Sequence, residues 1–392
     1  MSYSLYDEWR MNNNIIDNTI KEAIMEVVAF FDLFDYPLTE FEIWRYLGVE
    51  CGLLDVKKNL EDKNLPSAVE EKNGFYFLRG RKEIIKTKMA RYNYADKKFK
   101  KAMLVSRFFK IIPWIKMIAA GNLIGSHNLK KQGDIDLFII TKKNRVWMTR
   151  FFCAGFARLF GLRPTEKNTR DKICLSFFVS EDAMDLQGLM LSNRSSESLS
   201  PQEAGQAGDS DEAEGKASFY RALARVPAAL AANLSEAKAS TPDLKVGRSN
   251  LGTVWQKLKI HDIYFIYWLA GLVPIYNKDD AYNEFIKANS WLKNYLPNWR
   301  PAKMSFRRDS GQGFSRFYED VIDLLIGGAE KAVKKIQLKK MPEKLKILMN
   351  KDTRVVVNDD VLKLYTNDRR EEYRKRWKEK LAEIEMAGWI LK

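Results

Sequence analysis

Cysteine and histidine are scarce in this chain of 392 residues. The three cysteines, Cys51, Cys153 and Cys174, are too few for a disulfide framework and lack metal-type spacing, and the two histidines, His127 and His261, lie far apart in sequence. A histidine-based nucleophile or metal site is excluded on the same ground, and a reduced, cytoplasmic protein is expected. Long apolar runs are also missing. The best stretch, 260–276, carries His261 and Asp262 near its start and Pro274 near its end, so it reads as a buried helix and not a bilayer span, and no membrane partner is expected. The first ten residues, MSYSLYDEWR, are acidic and polar where a secretory signal is basic and then apolar. Against these absences stand 46% hydrophobic residues, 12% aromatics and a net charge of +15. That is enough apolar material for the cores of two or three domains, with an acidic partner or substrate, most commonly nucleic acid.

The chemistry concentrates in residues 119–141, AAGNLIGSHNLKKQGDIDLFIIT. Asp134 and Asp136 alternate with Ile135 and Leu137, and the apolar run 138–140 continues them as a buried strand. On a strand, residues two apart share a face, so both carboxylates project together while Ile135 and Leu137 enter the core. Two anions held side by side need a cation between them. Hard divalent cations favour carboxylate oxygens and often hold nucleotide phosphates as well, which points to metal-assisted phosphoryl chemistry.

Here the chain resembles the nucleotidyltransferase superfamily with the polymerase-beta-type fold, in particular its small bacterial members. Their signature is an apolar residue, Gly-Ser or Gly-Gly, a spacer, then Asp-apolar-Asp/Glu-apolar. Gly125-Ser126 has the usual dipeptide but only seven residues before Asp134. Gly121-Asn122 has eleven and follows the expected strand 115–120, with Asn where Ser is usual, and is the favoured register. The resemblance implies that a nucleoside monophosphate passes from an NTP to an RNA, protein or small-molecule acceptor. Asp134 and Asp136 would hold Mg²⁺ or Mn²⁺, and the turn of Gly121, Asn122, Gly125 and Ser126 would cradle the phosphates. It further implies a third carboxylate on a neighbouring strand. The candidate strand, 172–180, contains none: Ser176 lies near the expected place, and Asp171, Glu181 and Asp182 flank the strand. The competing expectation is therefore a nucleic-acid- or partner-binding protein with a degenerate transferase domain. A toxin-like transferase acting on tRNA ends is a third.

The layout around this centre reads as α+β. Residues 15–110 form a winged-helix-like module. Helices are expected at 20–34, at 40–47 behind a Thr39/Glu42 capping box, and at 53–62, followed by a hairpin turning at Asn73-Gly74. The third helix, LLDVKKNLEDKN, is too evenly charged for a committed reader of base edges. Residues 82–110 carry ten basic residues against two acids, interleaved with Tyr92, Tyr94 and Phe99, which suits RNA or DNA binding as well as a connecting helix with a solvated basic face. Residues 111–191 form the small mixed-sheet transferase-like domain, with a helix at 144–161. Residues 192–258 change composition to an Ala/Ser-rich, low-complexity insertion. Residues 259–392 are expected to be helical, with Asn289, Trp291, Asn298, Asp368, Arg369 and Arg370 either lining a substrate groove or capping helices.

Overall fold

A computed structural model describes residues 3–62, 68–121, 129–165, 168–191, 262–302 and 312–387. The chain opens with helix α1 (Tyr3–Asp32), which buries Ile20, Ile24, Val27, Val28 and Phe31 at helical spacing. Helix α2 (Glu40–Tyr46) starts at the expected capping box, in which Thr39 Oγ1 accepts from the Glu42 amide and the Glu42 carboxylate accepts from the Thr39 amide at 2.8 Å. Helix α3 (Leu53–Glu61) and the hairpin of β1 (Val69–Lys72) and β2 (Phe75–Leu78) complete the module. Asn73 and Gly74 turn the hairpin at φ 57° and 76°, as a two-residue mirror-image turn requires, and a single bridge adds Leu38 beside Tyr76. Ion pairs tie α3 to α1: Lys58 to Asp17 at 3.0 Å and Asp62 to Lys21 at 2.6 Å.

The basic segment becomes α4 (Ile84–Phe109), and much of its charge braces the fold. Lys88 donates to the Pro37 carbonyl and pairs with Glu42, and Arg91 pairs with Asp35. Lys98 pairs with Asp171 at 2.7 Å and donates to the Gly133 carbonyl, while Lys101 donates to the Asp171 carbonyl. Lys82, Lys97, Arg107 and Lys110 are exposed.

Six strands form the main sheet: β3 (Ile115–Ala120), β4 (Ile135–Thr141), β5 (Ile173–Ser180), β6 (Val273–Asn277), β7 (Val355–Val357) and β8 (Val361–Leu364), in the order β6-β3-β4-β5-β8-β7. Strands β4 and β5 are parallel and joined by α5 (Val146–Leu159); every other pair is antiparallel. A parallel pair cannot be joined by a tight turn, so the α5 crossover is what the β4–β5 pairing demands. Ile135, Leu137 and Ile139 of β4 face a core shared with Ala102, Val105 and Phe109 of α4 and Val146 and Trp147 of α5. The opposite face carries Asp136 and Phe138.

The C-terminal region departs from the all-helical expectation, because it supplies β6, β7 and β8, half of the main sheet. Each is three to five residues long, too short for a period-two pattern to stand out. Pro274 reads as a breaker in sequence, yet it sits on an edge strand, where a missing amide is tolerated. The helices of the region are α6 (Ile263–Ala270), α7 (Ala281–Ala288), α8 (Gln312–Ile326), α9 (Glu330–Lys339), α10 (Glu343–Leu348) and α11 (Arg370–Met386). Helices α8 and α9 are separated by the short turn Gly327–Ala329, because consecutive glycines hold helical backbone poorly. The insertion expected at 192–258 lies outside the described residues. No helix among the described residues is long and apolar enough to cross a membrane.

The described residues belong to one compact unit, so the N-terminal module is no separate bead. The Tyr267 ring on α6 packs against Phe30, Phe31 and Tyr46 at 4.8–5.3 Å, and its hydroxyl donates to the Tyr46 carbonyl. Asn298 is buried between the two regions. It accepts from the Cys51 amide at 3.2 Å and donates to the Trp44 and Val49 carbonyls at 3.1 and 2.8 Å. Asn298→Ala leaves these backbone groups unsatisfied and is expected to cost roughly 2–3 kcal/mol. Urea denaturation checks this, and an unchanged midpoint would remove Asn298 from the joint.

Candidate metal centre

The alternation of β4 sets Asp136 on the face away from the α4/α5 core, with Asp134 one pleat before it. Strand β5 lies alongside in parallel, and its register pairs Asp136 with Cys174 and Phe138 with Phe177. Two residues of β4 are thus opposed by three of β5, a bulge. Cys174 and Ser176, two apart on one face of β5, meet at 2.7 Å, and the bulge turns Phe177 to the same side to pack on Phe138 and Trp268. The ligand atoms of Asp134, Asp136 and Cys174 all lie within 4.8 Å of one another, and this is the one metal-compatible group of histidine, cysteine and carboxylate side chains among the described residues.

The end of β3 closes one side. The Gly121 amide donates to the Asp136 carbonyl at 2.9 Å, and a Cβ at this position would meet Trp268 Nε1 at 3.2 Å and Asp136 Cβ at 3.6 Å. A side chain here would require Trp268 to give way by a few tenths of an ångström. Trp268 in turn stacks between Phe177 and Phe265, at 5.4 and 5.5 Å. Helix α6 also brings Tyr264, stacked on Tyr373 at 5.1 Å, and the chain after β8 brings Tyr365.

The acid pair sits in an unfavourable field. Asp136 is 6% exposed, and burial followed by the Asp134 charge pushes its carboxyl up to about 7. Burial also raises Asp134, against a partial offset from its own backbone amide and from Lys98. The Cys174 thiol is driven well above its ordinary range by burial and then by both carboxylates. Tyr365 is raised by burial and next by Asp136, so its hydroxyl stays protonated beside the acids. Among the described residues neither Asp134 nor Asp136 forms an ion pair, and the cation nearest in effect, Lys98, is committed to Asp171.

The sequence expectations divide clearly. Asp134, Asp136 and Gly121 come together as expected, while Asn122, Gly125 and Ser126 lie outside the described residues. None of the flanking acids joins the pair: Asp171 is held by Lys98, Glu181 accepts from the Lys143 amide, and Asp182 pairs with Lys143 at 2.6 Å. Cys174, paired with Asp136 and two residues before Ser176, stands in the third position instead. The proposed groove residues are structural. Asn289 holds the Leu186 amide and the Met184 carbonyl, Trp291 donates to Asp185, Arg369 pairs with Glu372, and Asp368 pairs with Arg370.

No family model matches the chain, and neither a curated protein nor a solved structure matches it. A buried carboxylate beside a half-buried one, with no protein cation paired to either among the described residues, is an arrangement that a bound divalent ion neutralises. Two carboxylates are also the usual protein share of a Mg²⁺ shell completed by phosphates and water. A protonated thiol adds nothing to such a shell, so the residues fit one oxygen-liganded cation directly and provide no third acid for a second.

Proposed function

We propose that the chain is a metal-dependent nucleotidyltransferase that transfers a nucleoside monophosphate from an NTP to an acceptor hydroxyl or phosphate. The observation that carries this reading is the pair Asp134 and Asp136, side by side on one face of a mixed sheet next to the strand end at Gly121. Asp134 and Asp136 would hold Mg²⁺ or Mn²⁺, which would screen the triphosphate and lower the acceptor's pKa. The protein's own part is placement. Gly121 lets the chain after β3 lie against β4 beside Asp136 without a side chain in the way. Trp268, Phe177 and Phe265 wall the site on the α6 side and exclude water. The Tyr365 hydroxyl, kept protonated, is a hydrogen-bond donor available to a phosphate oxygen.

The N-terminal order of helix, single bridge, two helices and hairpin supports a winged-helix reading of that module. With α3 tied to α1 by ion pairs, a role in docking suits it better than reading base edges. The exposed Lys82, Lys97, Arg107 and Lys110 are the cations of the basic segment best placed to meet RNA or DNA phosphates as acceptor contacts.

One observation favours the alternative of a binding protein with an inactive transferase domain: Cys174 occupies the third position where an acid is needed for a two-metal site. Incubation with each α-³²P NTP, Mg²⁺ or Mn²⁺, and cellular RNA and protein separates the two. Label transfer abolished by Asp134→Ala supports the enzyme. A salt-sensitive shift of nucleic acid without any transfer supports the binding protein.

A further inference from the structure

The third donor at the acid pair is sulfur, and sulfur changes which cation the site prefers. Carboxylate oxygens alone suit Mg²⁺, whereas an added thiolate moves a site toward Zn²⁺ and its spectroscopic stand-in Co²⁺. Asp134, Asp136 and Cys174 come from two adjacent strands whose register pairs Asp136 with Cys174, so their convergence is built into the sheet. Three protein ligands with an open fourth position is the composition of a catalytic zinc site. The ligand atoms lie within 4.8 Å of one another, and closing on one ion at roughly 2.0–2.3 Å requires the Asp134 and Cys174 side chains to turn toward it. Ser176 Oγ, 2.7 Å from the Cys174 sulfur, is placed to donate to a metal-bound thiolate and orient it. Asp136 is 6% exposed and aimed into the cluster, where Cys174 is hydrogen-bonded to it; among the described residues no cation pairs with it, and buried charges are paired or coordinate a metal.

We infer that Asp134, Asp136 and Cys174 form a three-ligand site for a zinc-class divalent cation that fills without nucleotide. It shares the acid pair with the proposed transferase centre but needs no NTP, so binding of the metal alone tests it whether or not transfer occurs. A zinc-class ion here competes with Mg²⁺ for the same carboxylates, which makes the site a point at which such ions act on transfer.

The test is titration of the metal-free, full-length protein with Co²⁺, read by absorbance. The expected result is a near-ultraviolet sulfur-to-cobalt charge-transfer band that saturates at one ion per chain, is displaced by Zn²⁺ and resists an equal concentration of Mg²⁺. Cys174→Ser should abolish the band, while Cys51→Ser and Cys153→Ser should keep it. Asp136→Asn should weaken Co²⁺ binding by tenfold or more, which keeps the question decidable should Cys174→Ser fold poorly. No band in the unmodified protein, a band that survives in folded Cys174→Ser, or unchanged affinity in Asp136→Asn would overturn the inference.

Discussion

Asp136→Asn is expected to lose nucleotide transfer and gain fold stability in one step. The loss comes from removing a carboxylate from the proposed metal-binding pair, and a fall in rate of at least a thousandfold corresponds to roughly 4 kcal/mol of transition-state stabilisation. The gain comes from the same charge. In the metal-free protein the Asp136 carboxyl titrates near 7, raised by burial and by Asp134. An unfolded aspartate titrates near 3.9. Between these values the folded state binds more protons than the unfolded state, so stability falls as pH rises from about 4 to about 7. Asparagine removes that penalty. At pH 8, with chelator present, the variant should exceed the unmodified protein by roughly 2–4 kcal/mol, and the difference should shrink toward zero near pH 4. Thermal or urea denaturation across this pH range checks it, and a stability gap independent of pH would mean that the pair is not held ionised at a cost. Bound divalent cation should close the gap by stabilising the unmodified protein instead.

Arg370→Ala is expected to be the most destabilising single change outside the apolar core. Arg370 is 4% exposed and donates to Asp262 at 2.6 Å, Asp368 at 2.9 Å, the Leu189 carbonyl at 2.9 Å and Thr353 at 3.0 Å. It thereby joins four separate chain segments, and Lys363 of β8 adds a second pair to Asp368. Truncation leaves Asp262 and Asp368 buried with their principal partner gone, a situation that costs roughly 3–5 kcal/mol. Arg370→Lys keeps the charge but not the fork, and should recover part of the loss. Asp262 also caps α6 through the Phe265 amide, and α6 carries Tyr264 and Trp268 over the acid pair. The loss should therefore reach the site as well as the fold. A urea midpoint shift worth less than about 1 kcal/mol, the range of an exposed ion pair, would contradict this account.

What the sequence revealed follows from how each feature is encoded. The capping box at Thr39 and Glu42, the Asn73-Gly74 turn and strands β3, β4 and β5 are local signals, and the structure has each where its pattern predicted. The shared face of Asp134 and Asp136 needed only the two-residue period of a strand. Cys174 was not legible, because its place depends on the β4–β5 register, a long-range feature with no local signature. Strands β6, β7 and β8 were hidden for a similar reason: they are short edge and near-edge pieces recruited by pairing. The basic character of α4 was legible but its use was not, since Lys88, Arg91, Lys98 and Lys101 find carbonyls and carboxylates far away in the chain. The Asp262–Arg370–Asp368 network joins residues up to 108 apart, beyond any periodicity.

The central claim is that Asp134 and Asp136 form a working phosphoryl-transfer centre. The most direct test is label transfer from the four α-³²P NTPs to total cellular RNA and protein with Mg²⁺ or Mn²⁺, run beside Asp134→Ala. Transfer from at least one nucleotide, abolished in a folded Asp134→Ala protein, is the predicted result. Transfer undiminished in that variant, or none from any nucleotide with well-folded protein, would contradict the claim.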